Sequence, residues 1–357
     1  MWILQESLTK PNVHFLNAML ETLSSNKLSK LTDKKYLCIN IIGSGSMGHL
    51  LALLLQKTKQ ITPFETDIND ELVIDLYARK PRKSANWKYQ SPTATFNQTI
   101  QYYSLNQWKQ PDLIIICIKS PHLKALCQQL SKLSPSNKID SSIPILIMMN
   151  GMGLIETVLS YFPNNPIFQA TTTHGAKIDK DILFHTGSGD TYIGVQQNVG
   201  NRQNGQNTEQ LKGICKLLNK QLPTVHKSQN IEQSLWRKLL INAVINPLTT
   251  IHNINNGQVT NNLAIKNEAL QLCDELAPFI KKLYIFDDRL QLFEQVCLIA
   301  NQTKDNISSM RQDHLKHRLS EIDFITGYLL KTAKTNQIQL PLHTKIYRKI
   351  KTLENHF

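Results

Sequence analysis

The stretch Tyr36–Lys57, reading YLCINIIGSGSMGHLLALLLQK, constrains this chain more than any other. Its first residues form a short apolar run, the mark of a strand buried on both faces, and its last residues form an apolar helix. Between them, Gly43-Ser44-Gly45-Ser46-Met47-Gly48 fits the pattern G-x-G-x-x-G. The pattern carries weight because it directly follows a strand and directly opens a helix. Gly43 allows the tight turn, Gly45 lets the backbone approach a pyrophosphate, and Gly48 lets helix and strand pack closely. The helix N-terminus adds free N–H groups and the positive end of a dipole. Gly43, Ser44, Gly45, Ser46, Met47 and Gly48 therefore read as the seat of a dinucleotide.

Further strand patterns lie at Leu72–Ala78, Leu113–Ile118, Ile145–Met149, Ile167–Thr172, Thr191–Val195 and Thr224–His226. Strands alternating with helical segments imply a mostly parallel sheet covered on both faces. After about Asn230 the strand signals stop and helical patterns run to the C-terminus. The expected fold class is α/β + all-α: an N-terminal Rossmann-type dinucleotide-binding domain, residues 36–228, followed by a C-terminal all-helical domain, residues 229–357. With 357 residues the chain is long enough for two cores, since single cores stop growing at roughly 250–300 residues. Residues 1–35 read as an extension with a weak amphipathic pattern. Glu6, Glu21 and Asp33 make it fit neither a secretory nor a transit peptide.

No apolar run is long enough to span a bilayer, which points to a cytoplasmic protein without a membrane partner. Cys38, Cys117, Cys127, Cys215, Cys273 and Cys297 lie far apart, with no CxxC pair and no Cys/His cluster. Neither a metal nor a disulfide is expected. The net charge of +13 comes from lysines scattered among Asn, Gln and Thr. That distribution lacks the basic block and aromatic platforms of a nucleic-acid binder and suits anionic small molecules instead.

The end of the second expected strand bears on the cofactor. An NAD site places an acidic residue there for the ribose 2′-hydroxyl, whereas this chain reads Tyr77-Ala78-Arg79-Lys80-Pro81-Arg82-Lys83. Arg79 suits a 2′-phosphate through paired, charge-assisted hydrogen bonds, which favours NADPH/NADP+. A solvated basic turn is the other reading, and Asp75 with the long Thr58–Asp70 connection leaves the register open.

In the run Leu235–Gly257, LWRKLLINAVINPLTTIHNINNG, polar residues interrupt an apolar helix. Lys238, Asn242 and Asn246 are spaced four apart and stack on one stripe. Burying a neutral polar group without a partner costs roughly 2–7 kcal/mol, so a polar ligand is a natural partner for this stripe. Two plainer readings stand beside it: a snorkelling Lys238, and Asn246 as the helix stop before Pro247.

The segments IIGSGSMG, NGMGLIE from Asn150, TTTHGAK from Thr171, the Leu235–Gly257 run, and NISSMRQD…RLSEIDFITGYLL from Asn306 resemble the ketopantoate reductase family over roughly Tyr36 to Ile350. The resemblance implies NADPH-dependent reduction of 2-dehydropantoate to (R)-pantoate in pantothenate and coenzyme A biosynthesis, by a monomer or homodimer. Lys238 and Glu321 match the family's catalytic positions. Lys119, Asn150 and Ala176 match positions lining the cofactor, and Asn150, Lys238, Asn242, Asn246, Asn256 and Ser309 match substrate contacts. The chemistry agrees: hydride arriving at a 2-keto carbon leaves negative charge on oxygen, which a protonated lysine stabilises and protonates. Glu321 then either accepts a substrate hydroxyl or holds Lys238. Ser309-Met310-Arg311-Gln312 has the form of a capping box, so Ser309 also reads as a helix N-cap. His174 reads as a residue positioning a loop near the cofactor rather than as a proton carrier. Reduction of another 2-keto acid, or a non-catalytic NADPH sensor, are the alternatives.

Overall fold

The computed structural model describes residues 36–57, 71–134, 138–196, 204–222 and 224–357. The expected extension 1–35 and the connection 58–70 lie outside the described residues. The strands are β1 (Tyr36–Ile42), β2 (Glu71–Tyr77), β3 (Ser84–Gln90), β4 (Thr95–Tyr103), β5 (Leu113–Ile116), β6 (Ile145–Met148), β7 (Ile167–Thr172), β8 (Gly175–Asp179), β9 (Ile182–Gly187), β10 (Thr191–Gly194) and β11 (Val225–Lys227). They form one 11-stranded sheet in the order β11-β10-β7-β6-β5-β1-β2-β4-β3-β9-β8. β1 is parallel to β2 on one side and to β5 on the other. The chain thus leaves β1 in one direction for β2 and returns in the other for β5, which opens a crevice at the carboxyl ends of these strands.

Period-two alternation sorts the apolar side chains onto two faces. Ile39, Ile41, Leu113, Ile115, Leu146, Met148 and Phe168 face the helices Ser46–Lys57 and Asn204–Asn219. Ile42, Ile114, Ile116, Ile145, Ile147 and Ile167 face the helices Leu123–Ser131 and Leu154–Tyr161. Both faces of the parallel part are covered, which is why its strands read as continuous apolar runs.

The sequence expectation omitted β3, β4, β8 and β9. β3 and β4 pair antiparallel, β8 and β9 pair antiparallel, and β9 joins β3 in parallel. β4 docks on β2 over only Leu76↔Tyr102 and Tyr77↔Tyr103, so this ribbon extends the sheet from its short end. β3 and β4 carry mostly polar residues with one buried side, seen in Trp87, Tyr89, Ile100 and Tyr102. Half-exposed antiparallel strands of that kind give a weaker apolar signal than buried parallel ones.

A third apolar cluster belongs to the helices after residue 230. Their longest member, Ile231–Ile251, begins where the Asn230 side chain accepts a hydrogen bond from the Gln233 amide. It continues through Pro247, so Asn246 is not the helix stop that the Asn-Pro pair suggested. The surrounding core explains this, because Ala243 to Thr250 are all buried and their packing outweighs one missing backbone hydrogen bond. A second correction concerns Ser309. The cap of the Ser309–Leu315 helix is Ser308, whose Oγ accepts from the Arg311 amide at 3.2 Å, and Ser309 is the first helical residue.

The glycine turn yields opposite expectations for two of its residues. A Cβ on Gly48 would lie 1.8 Å from the Gly43 carbonyl oxygen, whereas a Cβ on Gly45 meets nothing within 4 Å. Gly48→Ala is expected to lower stability by about 1–3 kcal/mol or more, the usual overpacking range. Gly45→Ala is expected to melt like the native chain yet bind a dinucleotide weakly, since its methyl fills the open space. Thermal melts and cofactor titrations of both variants check the pair, and a Gly48→Ala protein with native stability contradicts the close approach.

Candidate active site

β1, β5 and β6 end side by side, so the loops that follow them meet at one edge. The first carries Gly43 to Gly48, with Gly43 at φ +124 and its amide bonded to the Tyr77 carbonyl at 2.9 Å. The second carries Lys119 and Ser120, and the third carries Asn150. Gly151, at φ +90, presses against the helical half so closely that a Cβ there would sit 2.6 Å from Cβ of Phe324. The amide of Met152 donates to the Phe324 carbonyl at 2.9 Å. This seam brings Asn150 beside the Ser320–Phe324 turn, which bears Glu321.

Lys238 projects into the seam from the long helix. Its Nζ donates to Asn150 Oδ1 at 2.8 Å and to the Thr172 carbonyl at 2.9 Å. Asn150 Nδ2 in turn donates to Glu321 Oε2 at 3.1 Å. The other carboxylate oxygen, Oε1, accepts from the Ser120 amide and hydroxyl, each at 3.2 Å. Lys119 Nζ lies 2.7 Å from Asp313 Oδ2 and 3.8 Å from Glu321 Oε2. Glu321 is buried, and its carboxylate is met by the Ser120 and Asn150 donors.

Burial pushes the Lys238 ammonium down to about 8, against the pull of the Glu321 charge. At Lys119 burial also pulls downward, but Glu321 and Asp313 outweigh it and the net shift is upward. Asp313 is shifted upward by its own burial, with Lys119 opposing. The shifts of this ion pair work against each other, and the 2.7 Å contact supports the charged form of both groups.

Lys119, Asn150, Lys238 and Glu321 are thus one hydrogen-bonded and ion-paired cluster. Asn242 and Asn246 follow Lys238 on its stripe, and neither carboxamide makes a hydrogen bond to the described residues. Asn256 Nδ2 is pinned to Thr303 Oγ1 at 2.9 Å, and its Oδ1 is buried with no partner. Ser309 is exposed at the start of its helix. Arg79 is exposed just beyond β2 and makes no hydrogen bond to the described residues. Ala176 lies on β8, which packs against the Ser46–Lys57 helix that the glycine turn opens. The sequence reading missed Ser120, Thr172 and Asp313. Only Asp313 left a trace, as an acid three residues after Met310 on the buried face of a short helix.

Two family models match this chain: Ketopantoate reductase PanE/ApbA over residues 39–198, and Ketopantoate reductase PanE/ApbA C terminal over residues 230–354. A 2-dehydropantoate 2-reductase of Vibrio cholerae serotype O1 is 30% identical over 320 residues, covering 88% of this chain and 97% of that relative. The chain belongs to the ketopantoate reductase family. The counterpart from Shigella flexneri is 29% identical over 89% of this chain and 96% of its own. A dimeric ketopantoate reductase from Staphylococcus aureus shares the fold at TM-score 0.69 and 20% identity, covering 90% of this chain and 99% of its own. D-mandelate dehydrogenase with NADH and anilino(oxo)acetate shares it at TM-score 0.73 and 20% identity, covering the same shares. The oxidoreductase class, the Rossmann-type fold and the helical C-terminal half expected from the sequence all hold.

In this chain the antiparallel ribbon supports both halves of the site. Trp87 Nε1 donates to the Tyr102 hydroxyl at 2.6 Å, which leaves that hydroxyl to donate to His49 Nε2 at 2.8 Å. His49 Nδ1 then holds the Gly45 carbonyl at 3.0 Å, and burial drives the imidazole down to about 4, so it stays neutral. A second chain runs from the Tyr89 hydroxyl to His185 Nδ1 at 2.8 Å and from His185 Nε2 to His174 Nδ1 at 3.0 Å. Gly189 donates its amide to the same His174 nitrogen at 3.1 Å. His174 Nδ1 therefore acts as an acceptor, and the ring ties down the loop after Thr172, whose carbonyl faces Lys238.

The Lys238 ammonium is expected to titrate near pH 8 instead of its ordinary 10.5. Replacing Glu321 by Gln removes the charge that favours the ammonium and moves the midpoint lower still. NMR of isotope-labelled lysine, or pH-dependent acylation read by mass spectrometry, measures both. A midpoint at the ordinary value indicates a solvated ammonium and contradicts the geometry.

Proposed function

We propose that this chain reduces 2-dehydropantoate (ketopantoate) to (R)-pantoate with NADPH, as a step of pantothenate synthesis in the cytoplasm. The observation that carries the reading is the Lys238 ammonium, held between Asn150 Oδ1 and the Thr172 carbonyl beside the glycine turn of a family fold.

The glycine turn fits a nicotinamide dinucleotide: Gly43 and Gly48 close it, and the space over Gly45 is open. Arg79 supports NADPH over NADH because its guanidinium is exposed beyond β2. The rival acid, Asp75, is buried, with Lys109 Nζ 3.7 Å from its carboxylate. Lys80 is exposed like Arg79, whereas Arg82 is engaged by Asp181 at 2.6 Å.

When bound, the cofactor supplies the hydride that the 2-keto carbon receives. Lys238 faces the oxygen that gains charge, stabilises it and delivers a proton to it. A lysine near pH 8 is a stronger acid than a solvated one and still mostly protonated at neutral pH. Asn150 orients that ammonium and couples it to Glu321. Asn242, Asn246, Asn256 and Ser309 orient the keto acid's oxygens without adding charge. On this reading residues 36–228 hold the cofactor and 229–357 the substrate, with the Asn230 cap and the separate helical cluster supporting the division. The protein works as a monomer or homodimer, the latter supported by the dimeric relative.

The reading is tested by following NADPH absorbance against a panel of 2-keto acids, with ketopantoate expected to give the highest kcat/KM. Lys238→Ala is expected to lower turnover by roughly 10²–10⁴ while NADPH affinity changes little. It also removes the decline of the reduction rate that deprotonation of Lys238 causes as pH rises above about 8. A folded variant with near-native turnover refutes Lys238 as the acid. Arg79→Ala is expected to raise the Michaelis constant for NADPH by the equivalent of about 1.5–3 kcal/mol, the worth of a hydrogen bond to a charged group, and to spare NADH. Equal losses for both cofactors reduce Arg79 to a structural role.

A further inference from the structure

Glu321 stands on a turn that has little regular structure of its own. It precedes a three-residue 3-10 turn, Ile322–Phe324, which its own side chain does not cap; the Ile322 amide is held instead by Ser320 Oγ at 3.2 Å. A carboxylate that must meet Asn150 and Ser120 together needs its backbone fixed from outside: the Met152 amide holds the Phe324 carbonyl at one end of the turn, and the last helix, Pro341–Glu354, holds the residues on either side of Glu321. Glu354 Oε1 accepts the amide of Ser320, the residue before Glu321, at 2.8 Å. Asp323, two residues after Glu321, is gripped twice: Tyr347 donates its hydroxyl to Oδ1 at 2.6 Å, and Lys351 Nζ meets Oδ2 at 3.0 Å. Lys351 Nζ also meets Glu354 Oε2 at 3.2 Å, which closes a ring around the turn. Glu354 is buried, and as the last residue of its helix it faces the negative end of the helix dipole. Its contacts with Ser320 and Lys351 are therefore what give a buried acid a favourable place there.

The helix is anchored at its other end as well. Glu275 accepts the Leu342 amide at 2.6 Å and the His343 amide at 2.9 Å, and His343 Nδ1 lies 2.6 Å from Glu275 Oε2 with the ring fully buried. A helix fixed at both ends behaves as a strut, so the position of the turn is referred to the core of the helical half.

We propose that Tyr347, Lys351 and Glu354 are positioning residues that set the Glu321 carboxylate against Asn150 and Ser120. The proposal rests on the reading of Glu321 as part of the reductase site. None of the three makes a hydrogen bond or ion pair to Lys119, Asn150, Lys238 or Glu321; their polar contacts here go to the turn and to one another.

The test uses the full-length protein with saturating NADPH and ketopantoate, measuring kcat, KM, the NADPH dissociation constant and the melting temperature. Glu354→Leu, Lys351→Met and Tyr347→Phe are compared with Glu321→Gln. A misplacement of about 1 Å costs up to roughly 10²-fold in rate. Glu354→Leu is accordingly expected to lower kcat by about 10–100-fold, and Lys351→Met and Tyr347→Phe by a few-fold. NADPH binding should stay near native, with melting above the assay temperature. Glu354→Gln keeps an acceptor for the Ser320 amide and is expected to recover most of the loss. If Glu354→Leu does not fold, Tyr347→Phe decides, because it removes only a contact to the exposed Asp323 carboxylate, with Lys351→Met, which also frees Glu354 Oε2, as the second measurement. Native kcat in the folded strut variants, with or without a lower melting temperature, overturns the proposal provided Glu321→Gln is impaired. Native kcat in Glu321→Gln itself overturns instead the reading on which the proposal stands.

Discussion

The structure turns on one half-buried ammonium with neutral acceptors. Lys238 is bonded to a carboxamide oxygen and a main-chain carbonyl, and Glu321 is reached only through Asn150. The distinction is electrostatic. Two unit charges about 4 Å apart interact by about 4 kcal/mol at an effective dielectric of 20, which corresponds to about 3 pK units. A carboxylate in direct contact would thus cancel the effect of burial and return the lysine to a weak acid. Interposing Asn150 fixes the geometry of the charged pair while weakening its attraction, and this leaves the ammonium near 8.

Holding that arrangement falls largely to groups that never approach the lysine. The carbonyl of Thr172 is presented by a loop that His174 secures, and His174 is secured by His185 and Tyr89 on β9 and β3. The carbonyl of Gly45 is secured by His49, Tyr102 and Trp87, the last two again on the ribbon. Each chain ends in a tyrosine or tryptophan donor, which leaves every imidazole nitrogen involved with a defined role as donor or acceptor. The polar ribbon that extends the sheet past β2 therefore serves both the phosphate turn and the acid, although it contributes no residue to either.

This division explains what the sequence disclosed. Residues marked by a local pattern stood out: Gly43 and Gly48 because the turn leaves no room for a Cβ, Gly45 through its place in the motif, and Lys238, Asn242 and Asn246 as polar groups on an apolar helix. Residues whose role depends on distant pairing did not. β3 and β4 pair across a polar surface, so no apolar run marks Trp87 and Tyr102 in the sequence. Ser120 and Thr172 act partly through backbone atoms, which no side-chain pattern encodes. The helix through Pro247 shows the same limit from the other side, since the local rule that proline ends a helix yields to buried packing around it.

The two halves meet at a backbone seam, and that seam determines how tightly the cluster is drawn. Gly151 lies against Phe324 with no room for a Cβ, and the Met152 amide bonds the Phe324 carbonyl directly. Asn150 is one residue before this contact and Glu321 three residues before Phe324, so few rotatable bonds separate the anchored backbone from the two interacting side chains. A hydrogen bond weakens steeply once its geometry strays, and side chains reaching across a looser interface would meet it only part of the time. Docking main chain against main chain removes that freedom. The same close approach requires glycine at φ +90, which ties the backbone conformation of Gly151 to the coupling between Lys238 and Glu321.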